Sequence, residues 1–148
     1  MGDEGVGVEA IGYLERAGFA DRADLVDGGT GGFHLLSLFL DYSRIILIDA
    51  ASDEKPAGTV SRVRPRFAND FPPTLAAHDL GLKDLIEAAA LLGRLPEVDL
   101  ITVSVDGLSG MTLELSGPVR NALPGIAELV DSCLPAGPYF PVENRGSA

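Results

Sequence analysis

The chain has a single cysteine, Cys133, so an internal disulfide is excluded and a reducing compartment is the expected setting. It is poor in positive charge, with 11 Lys and Arg against 22 Asp and Glu, a net charge of −11 and a pI near 4.4. The clustered cations that bind nucleic acid or an anionic membrane are therefore not expected. No apolar run approaches the ~18–20 residues that span a bilayer. The opening Met-Gly-Asp-Glu-Gly has neither the basic nor the apolar region of a signal peptide, and cytoplasm is the expected location. No internal repeat or heptad is present. What is there is 148 residues, 46% of them hydrophobic, enough for one domain with a proper core. The domain is expected over residues 1–134, with a loose tail from 135 to 148.

The chain is organised around Arg44–Asp53. Ile45–Ile48 run without a polar break and stop at Asp49. A short unbroken apolar run suits a parallel strand buried on both faces. An acid just past its end lies at the carboxyl edge of the sheet, where open α/β folds place their ligand crevice. The competing role for Asp49 is a turn former or helix cap.

Ahead of it, the spacing of Val6, Ala10, Ile11 and Leu14 predicts a helix over 4–17 that stops at Gly18. Asp24–Val26 reads as a short strand, followed by the flexible turn Asp27–Gly32 and a helix over Phe33–Tyr42. After Asp49, Thr59–Arg64 alternates as a strand nearer an edge. A long loop holding His78 leads into a helix over Leu80–Leu92, with Leu82, Leu85, Ile86, Ala89 and Leu92 inward and Gly93 as its cap. Val98–Val105 reads as another apolar strand. A final helix spans roughly Gly117–Leu134 and is interrupted by Pro124. This alternation predicts an α/β three-layer sandwich, a twisted and mostly parallel sheet with helices on both faces.

In that layout Glu4, Asp27, Asp49 and His78 all face the carboxyl edge. Carboxylate oxygens with an imidazole nitrogen suit a borderline divalent cation and leave room for water or substrate. Each residue also has a plainer role: helix-dipole complement for Glu4, N-cap or turn former for Asp27, surface loop residue for His78. His34, inside a helix, reads as structural, and Cys133 has no histidine neighbour to activate it. Gly5-Val-Gly7 and Gly28–Gly32 both open helices, where backbone amides can hold an anion. The first lacks the preceding strand of a nucleotide motif, and Asp27 repels phosphate at the second.

Taken together, Gly2-Asp-Glu-Gly-Val-Gly7, Asp27-Gly-Gly-Thr-x-Gly32, Ile48-Asp-Ala50 with Pro56-x-Gly58, and His78-x-x-Gly-Leu82 resemble nickel–iron hydrogenase maturation endopeptidases. Leu95-Pro96, Leu115-Ser116, Val119 and Ala122-Leu-Pro124 extend the resemblance over residues 2–131. It implies an α/β endopeptidase that removes the C-terminal extension of the hydrogenase large-subunit precursor once nickel is loaded. The implied metal-contacting residues are Glu4, Asp49 and His78, with Asp27 in support. The nickel is the substrate's own, and no organic cofactor is implied. A non-catalytic protein that only docks the precursor and a nucleotide-binding α/β domain are the alternatives. The family begins with a strand leading into Gly-x-Gly-Asn, and this sequence starts inside the linker that follows. The expectation is therefore a clipped reading frame, with low stability and weak activity as it stands.

Overall fold

The computed structural model describes residues 5–27, 32–66, 70, 82–93, 96–106 and 115–135. For 32–35, 82, 83 and 85 it describes backbone alone. The expected tail beyond residue 135 and the residues at 1–4 lie outside this set. The elements are α1 (Val6–Arg16), α2 (Gly32–Asp41), β1 (Arg44–Ala51), β2 (Val60–Val63), α3 (Leu82–Leu91), β3 (Glu97–Ser104), α4 (Gly117–Arg120) and α5 (Leu123–Cys133).

α1 forms where the apolar spacing predicts, burying Val6, Ala10 and Leu14. It stops at Gly18, whose left-handed backbone (φ +86°) costs a glycine nothing. Pro118 and Pro124 each lie in the first turn of a helix, where the missing N–H is harmless. The break between α4 and α5 therefore falls at Asn121–Ala122, just ahead of Pro124.

The strands run in the order β1-β3-β2, with β1 parallel and β2 antiparallel to β3. Helices cover both faces. On one, α1 and α5 pack with Ile46, Ile48, Ile101 and Val103. On the other, Phe39 of α2 and Ile86 and Ala89 of α3 pack with Leu47, Ala51 and Leu100. The α/β sandwich is as expected, with a mixed sheet among the described residues.

Four local expectations change. Asp24–Val26 is not a strand. Asp24 instead accepts a hydrogen bond from the Tyr42 hydroxyl, and Leu25 packs on the α1/α5 core, so side chains rather than a ladder hold this stretch. Ile45–Ile48 are only half-buried, because β1 is the outermost described strand on its side, and β3 takes the central position. Asp49 lies inside β1 rather than beyond it, since the ladder continues to Ala51↔Ser104. Leu92 is 60% exposed: α3 ends at Leu91, so Leu92 no longer follows the buried stripe.

At the amino end of β3 the strands are tied by charge. Asp99 is buried and accepts from Arg44 Nη2 (3.2 Å), from Arg62 Nε and Nη2 (3.2 and 3.0 Å) and from Arg64 Nε (2.8 Å). Burial pushes the Asp99 carboxyl up, but the hydrogen bonds from Arg64, Arg62 and Arg44 outweigh it and hold the group below the usual carboxylate range.

Candidate functional site

Asp49 sits on β1 opposite Thr102 of β3, two residues short of the strand's carboxyl end. Its Oδ1 accepts the N–H of Ala50 at 2.9 Å, which fixes one carboxylate oxygen against the backbone. Side chains alternate along a strand, so Asp49 shares the α2/α3 face with Leu47 and Ala51, while Ile48 faces α1.

The start of α1 comes up against this point. A Cβ built on Gly7 would lie 2.8 Å from the Ile48 carbonyl oxygen, closer than real Cβ contacts come. Only glycine lets the helix approach the backbone next to Asp49 so closely. That approach, rather than an anion cradle, accounts for Gly7, and the nucleotide reading loses one of its two glycine motifs. On the other face, α3 ends shortly before β3 begins, so it runs back along the sheet from the carboxyl edge. The backbone beside Asp49 is where α1 begins.

The other expected site residues are distributed unevenly. Glu4 and His78 lie outside the described residues, and so does the side chain of His34. Asp27 is exposed, at the end of the irregular stretch ahead of α2. Among the described residues no group of three metal-binding side chains is gathered. Cys133 is buried and reduced, consistent with a packing role. Two further residues lie on the Asp49 face of β3 without a distinctive sequence pattern. Thr102 is buried directly opposite Asp49, and the Ser104 hydroxyl, at 0% exposure, has no hydrogen-bond partner among the described residues. Only the alternation within Val98–Val105 puts both on the face that Asp49 uses.

The family model HycI, hydrogenase maturation protease, matches residues 8–132. The chain belongs to the hydrogenase maturation protease family. The hydrogenase 2 maturation protease of Escherichia coli K12 is 31% identical over 132 residues, covering 82% of this chain and 78% of that protein. The hydrogenase expression/formation protein HupD of Rhizobium leguminosarum is 29% identical over 136 residues. This chain spans 64% of the length of that protein and 51% of its Bradyrhizobium diazoefficiens counterpart. Among solved structures, the hydrogenase maturating endopeptidase HybD from E. coli superposes with a TM-score of 0.74 at 27% identity, covering 93% of this chain and 90% of that one. The [NiFe] hydrogenase maturation protease HybD from Thermococcus kodakarensis gives 0.70 at 25% identity, covering 91% and 92%. These likenesses support the α/β assignment. Among the described residues, no helix is long and apolar enough to cross a membrane.

Proposed function

We propose that this protein is a cytoplasmic endopeptidase that removes the C-terminal extension from the nickel-loaded large-subunit precursor of a nickel–iron hydrogenase. The observation that carries the reading is the contact of Gly7 with the Ile48 carbonyl, which brings the start of α1 to the residue before Asp49. In sequence, Glu4 is the residue just ahead of Gly5, which is buried at the start of α1. His78 precedes the start of α3 by four residues in sequence.

In this reading Glu4, Asp49 and His78 contact the nickel carried by the precursor. Two carboxylates offset its charge and one imidazole suits its borderline character, while open positions remain for a substrate carbonyl or a water. Binding at the metal places the neighbouring peptide bond against the enzyme, a proximity contribution. The substrate's metal then polarises the carbonyl or activates water, and one of the acids serves as general base. Asp27 plays a supporting part and is not assigned to the metal. No organic cofactor, nucleic acid or membrane enters the scheme.

Incubating nickel-loaded precursor with the protein and following the mass of the large subunit tests the reading. A shortened subunit is the expected product, with His78→Ala and Asp49→Asn each abolishing it. Precursor bound but never shortened would leave a docking protein without catalysis. Thermal stabilisation by a nucleotide would instead favour the nucleotide-binding alternative.

A further inference from the structure

Three guanidinium groups meet around Asp99, and its single carboxylate offsets only one of their three charges. The side chains of Arg44, Arg62 and Arg64 are 30%, 28% and 64% exposed, against 3% for Asp99. Four hydrogen bonds reach Asp99, about as many as a carboxylate has lone pairs to accept. Arg64 commits only Nε, which leaves the two terminal nitrogens of its fork without a partner among the described residues. Glu97 is exposed and its charge also acts on Arg64. With Glu97 counted, the cluster still carries excess positive charge on a chain whose net charge is −11.

We propose that Arg64, backed by Arg62 and Arg44 at the amino end of the sheet, is a docking site for an acidic, carboxylate-bearing segment of the precursor, at the opposite end of the strands from Asp49. Two parallel N–H donors at the end of a fixed guanidinium match a carboxylate. Asp99 holds the Arg64 side chain in place, so less rotamer freedom is lost when the partner binds. The overall negative charge opposes long polyanions such as nucleic acid or an anionic bilayer, so the local positive excess can attract only a short acidic segment. The surface gives the precursor a second point of attachment, which fixes its direction across the sheet.

This inference rests on the precursor being the partner, and the experiment separates the two claims. Binding of nickel-loaded precursor to the full chain is titrated at low and high salt, with Arg64→Glu and Arg64→Gln beside the parent. Precursor Kd is expected to rise about tenfold for Arg64→Glu and less for Arg64→Gln, with the loss falling on KM rather than kcat and a flatter salt dependence. A hexaglutamate peptide is expected to inhibit the parent and to lose that effect on Arg64→Glu. A merely structural arginine would lower the melting temperature without changing the salt dependence. Parent-like Kd and salt dependence in both variants would overturn the docking site while cleavage by the parent leaves the protease reading intact. A parent chain that neither binds nor cuts the precursor would overturn both. Should Arg64→Glu fail to fold, Arg64→Gln and the peptide competition decide.

Discussion

β1 and β3 lie side by side in register for eight residues, and each carries one aspartate, yet the two strands are used differently. Every β3 residue after Glu97 is buried, whereas in β1 only Ala50 and Ala51 are. Asp99 is near the amino end, saturated by three arginines. Asp49 is near the carboxyl end, half-buried, with one oxygen turned back onto its own strand. A buried acid surrounded by fixed cations belongs to stability. A partly accessible acid at the rim where α1 begins is the one for which we propose a part in the chemistry. Mutations in the two strands should therefore separate cleanly into those that unfold the protein and those that silence it.

The largest effect is expected from Asp49→Asn. The amide keeps the shape and its oxygen still accepts the Ala50 N–H, so the melting temperature should stay close to the parent's. Processing of nickel-loaded precursor should fall by about 10²–10⁴-fold, the usual worth of a positioned general base, or vanish. A variant that still cuts at the parental rate would remove Asp49 from the mechanism and erase the contrast with Asp99.

Asp99→Ala should do the reverse. Removing the carboxylate leaves three partly exposed arginines without their shared counter-charge, so the cost should fall below the about 3–5 kcal/mol typical of a fully buried pair, read here by urea unfolding. The pH dependence carries the same signature. The folded carboxyl titrates below its unfolded value, so its contribution to stability is complete above about pH 4 and is lost as pH falls through the lower folded value. Acid unfolding of the parent should steepen in that window, and Asp99→Ala should lose the steep limb. Identical acid limbs would mean that Asp99 is not the group being titrated.

How far these roles were legible in the sequence follows from the same pair. The α/β layers, the helix faces and the α4–α5 interruption follow from periodicity and proline, which are local. The order of strands is not local. Ile45–Ile48 is the more apolar run, yet β3, interrupted by Asp99, takes the centre, because Arg44 of β1, Arg62 of β2 and Arg64 just past β2 satisfy the acid. Those arginines are distant in sequence from Asp99, and no spacing rule announces them. Asp49 stands out as a candidate in the sequence because a lone acid after an apolar run is a local pattern. Thr102 and Ser104 carry no such signal, because small hydroxyl residues in a strand look like ordinary packing. Leu92 misled because a helical stripe says nothing about where the helix stops.

Gly7→Ala acts on the β1 side alone. The added methyl meets a backbone carbonyl, which cannot rotate away, so α1 must shift from the strand. Overpacking of this kind costs about 1–3 kcal/mol, measurable by urea unfolding. The larger consequence is geometric, since the helix start moves relative to Asp49. Processing should drop by more than the stability loss explains when both are measured well below the melting temperature. A variant destabilised but fully active would show that the close approach serves packing only.

The smallest effect compares two isoleucines that face each other in register, Ile48 of β1 and Ile101 of β3. Both point toward the α1/α5 core, so the same deletion of one methylene removes the same chemistry from each. Ile101 is fully buried, and Ile101→Val should cost the usual 0.5–1.5 kcal/mol, about 1 kcal/mol. Ile48 is half-buried, so part of its side chain already meets solvent and the methylene is worth less. Ile48→Val should cost about half as much or less, resolved by comparing urea midpoints at a common slope. Equal costs would mean that β1 is as well covered in solution as β3. The division between an interior structural strand and an outer strand that presents the site would then rest on the two aspartates alone.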